Sequence, residues 1–152
     1  MGKVVDLDTL RAALAATPGR VVTTNGCFDL LHVGHLALLR EAKALGDILV
    51  VAVNDDASVR RLKGPSRPVV SEADRAELVA ALEPVDYVVL FSEDTPEAVL
   101  GAIRPAIHVK GGDYLPEDLP EARVVEQNGG TIAIVPLLPG YSSTDLIRKA
   151  GA

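Results

Sequence analysis

The chain has 152 residues, 48% of them hydrophobic, which is enough for one compact domain with a sizeable core and too few for a second. Its net charge of −6 argues against a general nucleic-acid binder, whose affinity comes from neutralising phosphates. Apolar runs such as Ile48–Val53 are far short of a membrane span and MGKVVDLDTL lacks the apolar core of a signal peptide, so a soluble, cytoplasmic protein away from membranes is expected.

Asp6 or Asp8 is placed to cap a helix over LDTLRAALAA, which Pro18-Gly19 stops, and this N-terminal segment, residues 1–18, is expected to pack on the domain. Val21–Thr24 reads as the first strand and Leu36–Leu45 as the helix after it. Ile48–Asn54 is a second strand, and in the segment after it the basic run Arg60–Arg67, broken by Gly64, Pro65 and Pro68, reads as a loop. Ser71 with Asp74 resembles a capping box for a helix running to Leu82, and Pro84 ends it. Tyr87–Phe91 is a third strand; Pro96 then takes a first-turn position for a helix over Glu97–Ile103. Ile107–Lys110 and Thr131–Val135 are the last strands, separated by a helix starting near Pro120 and closed by Gly129-Gly130, and Ser143–Lys149 is a final helix. Short, continuously apolar strands alternating with helices predict an α/β fold, a doubly wound parallel sheet of five strands covered by helices on both faces. Ligands of such sheets lie at the carboxyl ends of the strands.

Two of the three histidines lie in the tetrapeptide His32-Val33-Gly34-His35, between the first strand and its helix. Free N–H groups and the positive end of a helix dipole meet there, as an anion requires. The two imidazoles share one face of the first turn, and Gly34 removes a Cβ that would hold a phosphate away. The alternatives are a structural histidine or a zinc pair, for which Cys27 and His108 are the other soft ligands in the chain. Cys27 itself reads as a small buried hydrophobe, and a single cysteine cannot form an intrachain disulfide. Arg60, Arg61, Lys63 and Arg67 crowd into RRLKGPSR, which contains no aromatic residue on which bases could stack. Either this is a solvated surface run or it is a mobile lid, Arg60 to Val69, that closes on a small phosphorylated ligand. Four segments follow strands and converge: Asn25–His35, Asn54–Arg67, Gly111–Tyr114 and Pro139–Thr144. The segment after the third strand, SEDTPE, reads as an ordinary helix cap.

With HxGH on these residues, the chain resembles the cytidylyltransferase-like nucleotidyltransferases, a Rossmann-like fold. Three blocks, TNGCFDLLHVGHLALLREAKALGD, VAVNDDASVRRLKGPSRPV and VKGGDY, are similar to the adenylyltransferases acting on D-glycero-β-D-manno-heptose 1-phosphate, over nearly all of Val21–Arg148. The resemblance implies transfer of AMP from ATP to the sugar 1-phosphate with release of pyrophosphate. It implies His32, His35 and Lys63 as the catalytic set, the histidines as donors to the phosphates and Lys63 bridging the α-phosphate and the sugar phosphate. It further implies that Asn25, Gly26, Cys27 and Phe28 lie against the nucleotide beside Gly34. Lys110, Gly111 and Asp113 would line the base and ribose, and Asn54, Arg61 and Arg67 would meet the sugar phosphate. The family's ISSTxIR motif, which holds outer phosphates, appears as YSSTDLIR: Ser142, Ser143 and Thr144 match, and Arg148 falls one residue late.

Magnesium is expected on the nucleotide phosphates, with few protein ligands. Many relatives fuse this domain to a sugar kinase, so a separate heptose kinase is expected upstream, and relatives form homodimers. A cytidylyltransferase acting on glycerol 3-phosphate and a nucleotide-sensing domain without turnover are the competing readings.

Overall fold

The structure, a computed structural model, describes residues 2–151. Five parallel strands form one sheet: β1 (Val21–Gly26), β2 (Ile48–Asn54), β3 (Tyr87–Phe91), β4 (Ile107–Gly111) and β5 (Thr131–Val135), in the spatial order β3-β2-β1-β4-β5. The chain winds outward from β1 through β2 to β3, then returns to the other side of β1 for β4 and β5, which makes the sheet doubly wound. β2 is buried along its whole length, and its alternation sends Leu49, Val51 and Val53 to one face and Ile48, Val50 and Ala52 to the other. On the first face they meet Leu39 and Ala42 of α2 (Val33–Ala44) and Ala76 and Val79 of α4 (Glu72–Ala80). On the second they meet Leu10 of α1 (Leu7–Ala16), Leu100 and Ile103 of α5 (Glu97–Ile103) and Val125 of α6 (Ala122–Gln127). Leu10 is fully buried, so the N-terminal helix is part of the core.

The expected strands are all present, with β1 two residues longer and β4 one. Asp6 caps α1 by accepting from the Thr9 N–H at 2.7 Å, and Ser71 caps α4 through the Asp74 N–H. Pro96 sits at the N-cap of α5 rather than in its first turn, and α6 begins two residues after Pro120. The larger correction is α3 (Asp56–Lys63), whose second half lies in the run read as a loop. Asp55 caps it by accepting from the Ser58 N–H at 2.9 Å, Val59 anchors it in the core, and Arg60, Arg61 and Lys63 occupy its last turn, where cations oppose the negative end of the helix dipole. The charge crowding that suggested a mobile loop is thus accommodated by a helix terminus. A 3₁₀ turn at Pro116–Asp118 and α7 (Ser143–Gly151) complete the chain.

β1 and β4 are in register only at Val22↔Ile107 and Thr23↔His108. Just beyond, the Thr24 hydroxyl donates to the Val109 carbonyl at 2.9 Å. The site opens past this short seam, where the winding direction reverses.

Candidate active site

A cavity of about 660 Å³ lies at the carboxyl ends of the strands. Among the expected site residues its lining includes Asn25, Gly26, Cys27, Phe28, His32, Gly34, His35, Asn54, Lys63, Arg67, Lys110 and Ser142–Thr144. The four segments that follow β1, β2, β4 and β5 therefore meet, and Asp94–Pro96 after β3, read as a plain cap, join them.

His32 is the N-cap of α2 and His35 is in its first turn. The rings stack with centroids 3.8 Å apart, and the His35 Nδ1 accepts the His32 backbone N–H at 3.2 Å. A neutral His35 accepting at Nδ1 carries its proton on Nε2, so that N–H is the donor left for a ligand. Burial, together with the neighbouring His32, lowers the His35 pKa to about 4, and burial lowers that of His32. The His32 Nδ1 and the Asn25 Oδ1 are buried with no hydrogen-bond partner, two polar atoms beside the cavity that the protein leaves open. Gly34 is demanded by packing as much as by a ligand: a Cβ there would lie 2.9 Å from the His32 ring and from the Tyr141 Cβ.

Lys63 ends α3 exposed at the rim of the cavity. Arg67 is held in place, its Nε donating to the Asp29 carboxylate at 2.7 Å. The same buried carboxylate accepts the N–H groups of Val69 and Val70. Burial alone would raise the Asp29 pKa, but the Val70 N–H, the Arg67 guanidinium and the Val69 N–H outweigh it and hold the group below its ordinary value. Asn54 has its amide engaged within the protein, its Nδ2 donating to the Ser58 hydroxyl at 3.2 Å and its Oδ1 facing the Cys27 thiol at 3.9 Å. Burial pushes the Cys27 thiol up despite Lys63, Arg75 and Arg67 nearby, which suits a packed side chain better than a nucleophile.

Three expected residues fall outside the lining. Arg61 is engaged by its neighbours: its Nε donates to Asp94, itself a lining residue, at 2.8 Å and its guanidinium also reaches the Ser92 carbonyl. Gly111 ends β4 with Leu137 and Leu38 packed so close that a Cβ would meet Leu137 at 2.6 Å, and Asp113 is exposed. Arg148 is exposed too, 3.7 Å from Asp145. His108 is buried in the sheet with its Nδ1 2.8 Å from the Thr23 hydroxyl, and among the described residues no group of three or more His, Cys, Asp or Glu is set to hold a metal ion, so the zinc pairing of His32 and His35 finds no third ligand.

Reading along the chain missed Asp29, which lines the cavity, and Arg75, which braces segments that line it. Arg75 is fully buried on α4 and donates to the carbonyls of Val70 (2.8 Å), Cys27 (2.6 Å) and Asn54 (2.7 Å) and to the Asp56 carboxylate (2.8 Å). One guanidinium thus joins the turn after β1, the end of β2, the start of α3 and the loop before α4. Glu121, 2% exposed, also lines the cavity. Phe28 holds a left-handed φ of 51° in the turn, a conformation kept here by burial of its ring.

Stacked histidines at a helix N-terminus, cations lining the same cavity and a doubly wound sheet are features that suit a phosphate-handling domain. The chain belongs to the cytidylyltransferase-like family, whose model matches residues 23–149. It is 50% identical over 150 residues to the Bifunctional protein HldE of Geobacter metallireducens, an alignment that takes in 97% of this chain and 31% of that protein. It is 53% identical over 145 residues to the Bifunctional protein HldE of Streptomyces coelicolor, covering 95% of this chain and 31% of that one. The chain therefore spans about a third of the length of these curated relatives. Among solved structures it resembles the lipopolysaccharide core biosynthesis protein from Thermoplasma volcanium with a TM-score of 0.65 and 31% identity, over 80% of this chain and 98% of that one.

Proposed function

We propose that the chain is a nucleotidyltransferase that moves AMP from ATP to D-glycero-β-D-manno-heptose 1-phosphate. The observation that carries this reading is the stacked His32–His35 pair lining one cavity together with Lys63 and Arg67, in a chain about 50% identical to proteins named HldE. An oxygen of the sugar phosphate attacks the α-phosphorus in line, a new P–O bond forms, and the bond to the β-phosphate oxygen breaks to release pyrophosphate. Charge grows on the equatorial and leaving oxygens, so what the protein supplies is position and N–H or cationic donors.

The depressed pKa values of His32 and His35 favour neutral rings at pH 7 that act as donors rather than exchange protons, His35 from Nε2. Lys63 at the rim is long enough and free enough to bridge the two phosphorylated ligands, and Arg67, already oriented by Asp29, presents its charge beside it. Ser142, Ser143 and Thr144 line the same cavity, with the Thr144 hydroxyl 3.5 Å from Nη1 of Arg67 and the Ser143 hydroxyl tied to the Leu30 carbonyl at 2.6 Å, and suit the outer phosphates.

Magnesium would enter with the triphosphate; among the described residues no group of three or more His, Cys, Asp or Glu is set to hold a metal ion. Bound there, it would neutralise charge on the outer phosphates. The partners on this reading are ATP and the sugar 1-phosphate rather than nucleic acid, with a kinase acting on the anomeric hydroxyl to supply the sugar 1-phosphate. No helix among the described residues is long and apolar enough to cross a membrane; a cytoplasmic homodimer is the proposed working state. Mass spectrometry of the reaction product tests the proposal: ADP-heptose formed from ATP and the heptose 1-phosphate is expected, and unchanged ATP in the presence of folded protein would contradict it.

A further inference from the structure

The two histidines of the site are held in different ways. The His35 ring is tied through its Nδ1 to the His32 backbone N–H, whereas the His32 Nδ1 is buried without a partner. The outer torsion of a histidine side chain is broad, so a ring that no hydrogen bond anchors takes its orientation from what packs on it. Two rings pack on His32: that of His35, at 3.8 Å and an interplanar angle of 23°, and that of Tyr141, at 5.9 Å and 27°. The second contact lies within the range of offset-stacked aromatic pairs.

Tyr141 reaches the site from the turn before α7. Gly140, at a left-handed φ of 86°, bends the backbone there, and the Ser143 hydroxyl ties the segment to the Leu30 carbonyl. Gly34 leaves the room: a Cβ on it would lie 2.9 Å from both the His32 ring and the Tyr141 Cβ, so helix, imidazole and tyrosine close on one another only around a glycine. In the ISSTxIR motif an isoleucine precedes the two serines, and here Tyr141 stands in its place. A branched aliphatic chain has no flat face to lay against an imidazole, so the ring contact comes from a residue that the motif does not prescribe. Core filling does not account for it either, since Tyr141 is 47% exposed and α7 beyond it has no buried residue.

We propose that Tyr141 is a positioning residue, whose ring holds the His32 imidazole in the orientation from which it donates to the reacting phosphates. The proposal rests on the adenylyl-transfer reading of the cavity. Losing Tyr141 costs less than losing His32, because the donor stays and only its aim is lost.

NMR and steady-state kinetics of the wild type, Tyr141→Ile and Tyr141→Phe test this, with circular dichroism as the check of folding. In the ligand-free wild type, nuclear Overhauser contacts between the His32 and Tyr141 ring protons are expected. The His32 ring resonances are expected to move in Y141I and to stay near their wild-type positions in Y141F, which keeps the ring. Y141I is expected to lower kcat by about tenfold with less change in KM for ATP, and Y141F by less than about twofold. On a His32→Ala background Y141I is expected to cost less than about twofold more, because a residue that acts through His32 then has nothing to aim. Absence of the Overhauser contacts in the wild type overturns the proposal whether or not Y141I folds. So do His32 resonances or a kcat left unmoved in folded Y141I, and so does a tenfold loss repeated in full on the His32→Ala background. If the wild type makes no ADP-heptose the functional reading falls, and the resonances still support or overturn the hold of Tyr141 on His32.

Discussion

The His35 imidazole lies on the His32 imidazole at a centroid distance of 3.8 Å while its Nδ1 accepts the His32 backbone N–H. The contact fixes the tautomer and keeps both rings from charging together, since a proton on His35 Nδ1 would break the bond and face a second imidazole. In an NMR titration of the ligand-free protein, His35 is expected to gain its proton only near pH 4, and adding ATP is expected to move that point upward as phosphate oxygens approach Nε2. His108, buried and lowered to about 3, behaves alike without responding to ATP. Because both folded values lie below the ordinary 6.5, the fold favours the neutral rings. Their contribution to stability is whole above pH 6.5 and is lost as the pH falls toward about 4 for His35 and about 3 for His108. Urea melts at pH 7, 5 and 4 follow that loss; stability unchanged down to pH 4 would contradict it.

The two nitrogens of His35 have separate tasks. His35→Asn keeps an acceptor near Nδ1 and is expected to preserve stability while kcat falls; His35→Gln, with its amide near the Nε2 position, is expected to recover part of kcat at some cost in stability. Alanine at His32 or His35 is expected to lower kcat by about a hundredfold to a thousandfold with less change in KM for ATP, as removal of a preorganised donor does. Steady-state kinetics with denaturation curves separates the two tasks.

Lys63 and Arg61 stand two residues apart on α3, and only Lys63 lines the cavity. Lys63→Ala is expected to lower kcat strongly. Arg61→Ala removes an exposed pair with Asp94 and is expected to change kcat less than about threefold and stability by less than about 1 kcal/mol. Motion in this region should be narrower than a lid spanning Arg60–Val69. Arg60–Lys63 are helical, the Gly64 N–H is bonded to the Arg60 carbonyl, and the Val69 and Val70 amides are bound to Asp29, so hydrogen exchange in the free protein is expected to be fast at Ser66 and slow at Val69 and Val70. Asp29→Ala should release both amides.

How much of this was legible along the chain depends on how local the cause is. β2 is an unbroken apolar run, and Asp6 and Ser71 sit at the capping positions of α1 and α4, so these elements could be read directly. The His32–His35 contact followed from their spacing on one turn. α3 was hidden because its apolar side is little more than Val59 and Leu62, and Gly64, Pro65 and Pro68 close behind it read as a broken loop. Arg75 and Asp29 were illegible for a different reason: Cys27, Asn54 and Val70, which Arg75 binds, are brought together only by the sheet. Asp94–Pro96 entered the cavity by the same long-range route.

Arg75 offers a direct test of that hidden network. Arg75→Leu leaves three carbonyls and the Asp56 carboxylate without their donor and is expected to cost about 3–5 kcal/mol, or a drop in Tm of about 10 °C. Differential scanning calorimetry reads it; a Tm within 2–3 °C (roughly 1 kcal/mol) of wild type would show that the network carries little stability.

The central claim, adenylyl transfer to a heptose phosphate, is met most directly by pyrophosphate release measured with ATP or CTP crossed against D-glycero-β-D-manno-heptose 1-phosphate and glycerol 3-phosphate. Release with ATP and the heptose phosphate is expected at a kcat/KM at least about a hundredfold above CTP with glycerol 3-phosphate, the discrimination a site gains from matching both the base and the acceptor. A preference for CTP and glycerol 3-phosphate would contradict the account.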